Sequence, residues 1–185
     1  MAMRHKLGRG TLLTQFDARD AYKQLRVRVE DLHQQCFMAG GKFWVDFCAS
    51  FGSLYGNDAY SRFAYVHRVC LARAAECPLL KHYVDNYINF TPQKSSPEEC
   101  KREAGAEAGR LRRELKESGI RFHEWQDPTT RLTFLGWIID TLRMTVEMTP
   151  ERREWMISFL GEWLEKESFT LKDVNSRLVF SFFCR

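Results

Sequence analysis

Hydrophobic and polar positions follow two periods along this chain, one typical of strands and one typical of helices. Residues 11–16 form a short apolar run that predicts a buried strand ending at Asp17. Residues 25–29 alternate between apolar and basic side chains, which predicts a half-exposed strand. Residues 34–49 hold the pair Gly40-Gly41 between two aromatic and apolar runs. Two glycines supply the positive φ angles of a tight turn, so this segment predicts a hairpin.

The rest of the pattern predicts helices and two further strand pairs. Residues 57–76 place apolar side chains at helical spacing and precede Pro78, so they predict a helix with one buried face. Residues 79–90 predict two short strands around Asp85-Asn86, because Asp and Asn tolerate the left-handed conformation of a hairpin tip. Ser96 and Pro97 are typical of a helix start and predict a helix at 97–118. The remaining predicted elements are strands at 132–139 and 144–148, and helices at 150–164 and 171–184. Strands and helices alternate unevenly, which favours an α+β fold over a doubly wound sheet.

Composition and charge narrow the class of protein. The chain has 185 residues, of which 44% are hydrophobic and 28% charged, and this suits one globular domain or one domain with a small appendage. The net charge of +4 is compatible with a nucleic-acid partner without demonstrating one. Six cysteines without a C-x-x-C pair predict free thiols in a reducing compartment. No run approaches the roughly 18–20 apolar residues of a membrane span, so we expect an intracellular protein, nuclear or cytoplasmic, with no membrane partner.

Two aspartates at predicted strand ends are the strongest candidates for chemistry. Asp17 follows the first buried strand, and Asp85 stands at a predicted hairpin tip. Taken singly, each fits an ordinary turn, which is the commoner role of such an Asp. In one sheet, however, two strand ends can lie side by side. Two carboxylates there could hold a pair of Mg²⁺ ions about 3.5–4 Å apart, the arrangement that assists phosphoryl transfer.

The motifs around these aspartates resemble those of reverse transcriptases. Residues 16–22 read Phe-Asp-Ala-Arg-Asp-Ala-Tyr, and residues 83–85 read Tyr-Val-Asp. They are similar to the family's Phe-Asp-x-x-Asp-Ala-Tyr motif and its aromatic-x-Asp-Asp hairpin. Further likeness lies at residues 42–46, 50–52, 132–136, 140–144 and 170–176. The type that the chain resembles is that of DIRS-like retroelements with tyrosine recombinases.

The resemblance implies a fold and an activity. The expected fold is a polymerase palm, a ferredoxin-like antiparallel sheet packed on helices, with a C-terminal primer-grip hairpin and the start of a helical thumb. Residues 1–148 would form the palm and residues 149–185 the thumb or connection. The implied activity is RNA-directed DNA polymerisation, a two-metal nucleotidyl transfer with Mg²⁺ or Mn²⁺. Its implied partners are an RNA/DNA template-primer and a deoxynucleoside triphosphate.

The resemblance also implies roles for individual residues. Asp17 and Asp85 would bind the catalytic metals, and Asn86 would complete the catalytic set. The residues implied at the incoming nucleotide are Ala21, Tyr22, Phe51 and Gly52. The residues implied at the primer end are Phe134, Leu135 and Gly136. For Tyr22 and for the hairpin residues, simple core packing is the alternative interpretation.

Several positions depart from the family pattern. Asn86 replaces a second Asp, and a neutral amide would hold a second metal less tightly. The Lys expected after Gly119 is missing; His123 could replace it as a general acid, although a lone His is more often a surface or packed residue. The chain begins almost at the first motif, so we expect the fingers to be absent and the isolated chain to be inactive, as a fragment or degenerate copy. The alternatives are a catalytically silent palm remnant that at most binds nucleic acid, or an unrelated α+β interaction domain.

Overall fold

Nine strands and three α-helices make up the part of the chain that the computed structural model describes, residues 7–50, 56–165, 168 and 170. The strands are β1 Leu12–Ala18, β2 Cys36–Ala39, β3 Lys42–Val45, β4 Lys81–Tyr83, β5 Asn86–Thr91, β6 Phe122–Thr129, β7 Arg131–Phe134, β8 Trp137–Asp140 and β9 Thr145–Met148. The helices are α1 Gly56–Ala74, α2 Pro97–Glu117 and α3 Pro150–Leu164, with 3-10 turns at Ala21–Gln24 and Val29–Gln35. The predicted α+β class is confirmed.

The main sheet has four strands in the order β4-β5-β1-β6, and every neighbouring pair is antiparallel. The helix α1 connects β1 to β4, and α2 connects β5 to β6. The chain thus follows the β-α-β-β-α-β order of a split βαβ, or ferredoxin-like, unit. A second sheet, β7-β8-β9, and the separate hairpin β2-β3 complete the strand structure.

The side-chain alternation of β1 divides the core between the two faces of the main sheet. Phe16 and Ala18 are buried in the cluster that also contains residues of α1 and α2. Leu13 belongs to a separate buried cluster with Ile88 and Leu132. Successive side chains of a strand point to opposite faces, so Asp17 shares the face of Leu13 and points away from the helices.

The helix α2 begins as its sequence predicts, and a buried carboxylate docks it on the sheet. Ser96 caps it, because the Ser96 hydroxyl accepts a hydrogen bond of 3.1 Å from the Glu99 backbone N–H, and Pro97 occupies the first turn. On its buried side, the Glu107 carboxylate accepts hydrogen bonds from the Asn89 amide, at 2.8 Å, and from the Thr91 hydroxyl. These bonds satisfy a buried carboxylate and fix α2 against β5.

Two strand predictions were wrong. Residues 25–28 alternate in exposure as expected, but Val29 is exposed where a buried side chain was expected. Pairing is limited to one isolated bridge, Arg26 to Cys48, and a 3-10 turn starts at Val29. Residues 132–139 are two strands, since the chain reverses at Leu135-Gly136 between β7 and β8. An alternating apolar run shows a strand period but does not reveal a turn placed within it.

The strand β6 was not predicted at all, and its irregular pairing explains why. Between β1 and β6 the register slips, with Gln15 opposite Gln126 and Asp17 opposite His123. The register shifts twice, between Leu13 and Gln15 and again between Gln15 and Asp17, and the extra residue of the second shift is Glu124, which has a left-handed φ of 51°. The strand also contains Pro128, a residue confined to sheet edges. Both features remove the regular alternation from which a strand is predicted.

The tip of the β7-β8 hairpin is fixed to α3. Leu135 and Gly136 have φ angles of 51° and 76°. Arg152 of α3 donates a hydrogen bond of 2.5 Å to the Leu135 carbonyl, and its guanidinium lies 5.4 Å from the centre of the Trp137 ring. The Thr149 N–H donates to the Gly136 carbonyl at 3.2 Å. Three contacts thus hold a two-residue turn against the start of a helix.

Within the described residues, no helix is long and apolar enough to cross a membrane. The predicted helix at 171–184 lies outside those residues. The division of the chain at residue 148 stays a prediction.

We expect Gly136→Ala to destabilise the fold by about 1–3 kcal/mol, because a side chain there adopts a strained φ and collides with Arg152. A Cβ at Gly136 would lie 2.4 Å from Nη1 and 3.0 Å from Cδ of Arg152. Urea unfolding measures the free energy. The control is Gly41→Ala, which has a φ of 72° and no neighbouring atom within 4 Å, so it reports the strain alone. In an Arg152→Ala background the Gly136→Ala cost should fall; an unchanged cost would contradict the contact.

Candidate active site

Asp17 and Asp85 meet at one end of two neighbouring strands. Asp17 lies directly opposite Asn86 in the β1-β5 ladder, and Asp85 precedes Asn86 in the turn that joins β4 to β5. The Asp85 carbonyl accepts a hydrogen bond of 2.9 Å from the Ala18 N–H, which closes the end of the ladder. Both aspartates line one open cavity of about 270 Å³. The sequence places these residues 68 positions apart (17 and 85), and the sheet brings them together.

The turn that carries Asp85 is strained at Val84. Its φ is 54°, a conformation that is a rare outlier for a β-branched residue and typically costs about 1–3 kcal/mol. We expected Asp85 or Asn86 to take the left-handed position, and this was wrong. Because Val84 takes it, Asn86 remains in β5 as a ladder residue, and its side-chain amide donates to the Asp85 carboxylate at 3.0 Å.

The cavity also collects residues from the motif that follows β1. Its lining is Asp17, Ala18, Asp20, Ala21, Tyr22, Lys23, Asp85 and His123. The Tyr22 ring lies 5.1 Å from the Tyr60 ring, and the Tyr22 hydroxyl donates to Asn57 Oδ1 at 3.0 Å. Burial and the charge of Asp85 raise the pKa of the Tyr22 hydroxyl, which keeps it neutral. Ala21 and Tyr22, both predicted at the nucleotide, thus share a cavity with the two aspartates.

The carboxylates of Asp17 and Asp85 repel each other in this partly buried cavity. The pKa of Asp17 is raised to about 6, chiefly by burial and next by the charge of Asp85, and Glu124 adds a smaller effect in the same direction. His123 opposes this shift, with Nδ1 3.9 Å from Asp17 Oδ1. Asp17 therefore carries a costly charge at neutral pH. A cation bound between the aspartates would relieve that cost.

The donor set fits a hard cation held by few protein ligands. Among residues 7–50 and 56–165, no three His, Cys, Asp or Glu side chains are grouped to hold a metal ion. An ion here would be held by Asp17 and Asp85, with water and substrate oxygens completing its shell, an arrangement that Mg²⁺ commonly adopts. Lys23 lines the cavity, but its ammonium pairs with Asp46 and lowers the pKa of that carboxyl. Its charge is therefore directed toward Asp46.

Other predicted site residues lie elsewhere. Phe134, Leu135 and Gly136 belong to the β7-β8 hairpin and do not line the cavity. Phe51 and Gly52 lie outside the described residues. The roles of these five residues, and of the aspartates as metal ligands, stay predictions.

Three polar or charged lining residues have no firm role in the sequence analysis. Asp20 and Lys23 reach the cavity because residues 21–24 form a 3-10 turn, in which the Lys23 N–H donates to the Asp20 carbonyl at 2.7 Å. His123 reaches it because β6 pairs with β1. The spacing of Asp20 in the first motif and Lys23 directly after that motif could have indicated the turn. No sequence signal placed His123 beside Asp17, because β6 itself was hidden.

Comparison with solved structures identifies the fold. The chain is similar to a foamy viral protease-reverse transcriptase in complex with an RNA/DNA hybrid, with a TM-score of 0.62, 18% identity, and coverage of 97% of this chain and 22% of that one. The chain has a reverse-transcriptase-like fold. A second structure of the viral enzyme, with double-stranded DNA, gives a TM-score of 0.62 at 18% identity over 97% of this chain and 28% of that one. A third, also with double-stranded DNA, gives 0.59 at 19% identity over 92% and 32%.

The likeness is one of structure. No protein-family model and no curated protein matches the sequence. The chain spans about a fifth to a third of the length of the viral proteins, with 22%, 28% and 32% of them covered.

The raised pKa of Asp17 predicts a pH-dependent stability. The folded protein binds this proton more tightly than the unfolded chain, whose carboxyl has a pKa of 3.8, so ionisation opposes folding above pH 6. In EDTA, Asp17→Asn should exceed the wild type in unfolding free energy by up to about 3 kcal/mol at neutral pH. The difference should shrink as pH falls through 6 and vanish below about pH 4.

Urea unfolding at a series of pH values measures this difference. The control is Asp58→Asn, whose side chain is 65% exposed beside Arg62, and its effect should be smaller at neutral pH. An Asp17→Asn curve parallel to that of the wild type at all pH values would show that Asp17 does not titrate in the strained environment described.

Proposed function

We propose that this chain is the palm of a retroelement reverse transcriptase, an RNA-directed DNA polymerase that transfers nucleotides with Mg²⁺ or Mn²⁺ at Asp17 and Asp85. The observation that carries the proposal is the convergence of these aspartates, with Tyr22, in one cavity at the end of two neighbouring strands. The reaction is attack of a primer 3′-hydroxyl on the α-phosphate of a deoxynucleotide, with pyrophosphate leaving. Bound cations supply charge stabilisation for the attacking and leaving oxygens.

The residues of the chain itself would position the reactants. Asp17 and Asp85 fix the place of positive charge, and Asn86 holds the Asp85 carboxylate by a hydrogen bond of 3.0 Å. The ring of Tyr22, braced by Tyr60, would lie under the sugar of the incoming nucleotide and exclude a 2′-hydroxyl. The β7-β8 tip, held by Arg152, would approach the primer end. Fixed positions of this kind supply much of the rate enhancement in phosphoryl transfer.

The partners proposed for the chain are an RNA/DNA template-primer and a deoxynucleoside triphosphate. The similar foamy viral enzymes are described in complex with an RNA/DNA hybrid or double-stranded DNA, which supports a nucleic-acid partner. The DIRS-like type, the intracellular location and the thumb at residues 149–185 stay predictions.

A second function is a silent palm that binds nucleic acid without catalysis. Asn86 favours it, because a neutral amide stands where the related motif has an acid. The small number of carboxylates also favours the silent function, because no third metal ligand joins Asp17 and Asp85 within the described part of the chain. Metal binding separates the two functions.

We expect Mn²⁺ to raise the melting temperature of the wild type, because an ion that binds only the folded state stabilises it by RT ln(1 + [L]/Kd). Asn86→Asp should gain more at the same Mn²⁺ concentration, since a third carboxylate strengthens binding of a hard cation. It should also melt lower in EDTA, because the carboxylates repel. Differential scanning fluorimetry across a Mn²⁺ series measures all three quantities.

The matched control is Asp17→Asn, which keeps the shape of the side chain and removes its charge. It should lose most of the Mn²⁺ response while remaining folded. Equal melting shifts in the wild type and both variants would show that the aspartates are turn residues, and the silent function would then be preferred.

A further inference from the structure

A second cavity lies on the other side of His123, between the C-terminal half of α2 and β6. Its volume is about 280 Å³, which is just under the roughly 300–1,000 Å³ of sites for drug-sized ligands. His123 lines this cavity and the cavity of Asp17 and Asp85. The two spaces are therefore neighbours that share one wall.

The wall of this α2-β6 cavity is apolar and aromatic. Leu115 of α2 and Ile120 form part of it, and Phe122 and Trp125 of β6 form the rest. The bulge at Glu124 produces this surface. Phe122 and Trp125 are three positions apart, so in a regular strand they would face opposite sides. With Glu124 as the extra residue, both contact Phe16, at ring distances of 5.4 Å and 5.2 Å.

The rim of the cavity is cationic. Arg112 and Lys116 stand one helical turn apart on α2. The Arg112 guanidinium lies 4.5 Å from the centre of the Trp125 ring and is oriented by Asp127, 2.8 Å from its Nη2. Lys116 makes no ion pair with any residue that the structure describes. Phe16 is stacked on the Trp125 ring and Arg112 lies over it, so the planar group left for a base is the Arg112 guanidinium. The cavity thus combines this planar cation with a second cation, Lys116, directed to solvent.

We propose that the α2-β6 cavity binds one nucleotide unit, with its base stacked on the Arg112 guanidinium, which itself lies on the Trp125 ring, and its phosphate on Lys116. The inference rests on the proposed function in one respect: the nucleotide belongs to a strand or substrate that also reaches the carboxylate cavity. Charge complementarity supports a nucleotide, because an anionic group joined to a planar ring matches a cationic rim above an aromatic wall. The shared His123 supports proximity, because a ligand in one cavity lies beside the other.

The test measures binding of a fluorescein-labelled short oligo-dT by fluorescence anisotropy, in EDTA between about 50 and 200 mM salt. Without metal, Asp17 and Asp85 repel phosphate, so binding reports the α2-β6 cavity. Lys116→Gln should weaken binding about three- to tenfold. It should also reduce the slope of log K against log salt by about 0.7, the value for one lost single-strand phosphate contact.

Lys101→Gln is the matched control, the same exchange at an exposed position of the same helix, outside the cavity lining. It should bind as the wild type does. Equal weakening by the two variants would mean diffuse attraction to the charged helix and would overturn the proposal. Arg112→Gln is the second cavity variant and should weaken binding with the Lys116 contact intact.

Competition identifies the ligand. Unlabelled thymidine triphosphate should displace the probe at lower concentration than inorganic tripolyphosphate; equal displacement would show that no base is recognised and would overturn the proposal.

The difference between Lys116→Gln and Lys101→Gln should persist in an Asp17→Asn background. If Mn²⁺ fails to stabilise the wild type but that difference remains, the proposed function fails and the nucleotide site stands. If Mn²⁺ binds and the difference is absent, only the nucleotide site fails.

Discussion

The antiparallel pairing of β1 with both of its neighbours is the constraint on which the rest of the structure depends. It sets Phe16 among the buried aromatic rings and, one residue later, sets Asp17 opposite Asn86 and His123. The same alternation that stabilises the core therefore fixes the direction of the carboxylate. A shift of one residue in register would exchange the two side chains and remove both the core contact and the site.

The negative charge of the Asp17 carboxylate destabilises the folded protein. Burial and Asp85 raise the pKa of Asp17 to about 6, so the ionised pair destabilises the protein at neutral pH when no cation is bound. Backbone strain is found in the same region, at Val84 and Glu124, with φ angles of 54° and 51°. Unfavourable local energies of this kind persist only where the surrounding structure enforces them, and they concentrate at functional sites. The aromatic contacts of Phe16 with Tyr87, Phe122 and Trp125 supply that enforcement.

Regular periodicity made part of this fold predictable. The helix α2 was visible from Ser96 and Pro97, and the β2-β3 hairpin from Gly40-Gly41, because caps and tight turns depend on local residues. The pairing of β1 with β5 was inferred from two aspartates at strand ends, and the structure brings those residues together. Prediction from the local pattern of apolar and polar residues failed where pairing with a distant strand determines the structure. The bulge at Glu124 hid β6, and the turn at Leu135-Gly136 lies inside a run that alternates like one strand.

The hidden strand also explains why the surroundings of the aspartates were less predictable than the aspartates themselves. A motif shows which residues of β1 and of the β4-β5 turn take part, but His123 contributes only through the register of β6. The bulge that shifts this register turns His123 toward Asp17 and turns Trp125 toward α2. One extra residue in an edge strand therefore builds part of the wall of the carboxylate cavity and part of the wall of the α2-β6 cavity. The two sites are linked in structure because they share this irregular strand.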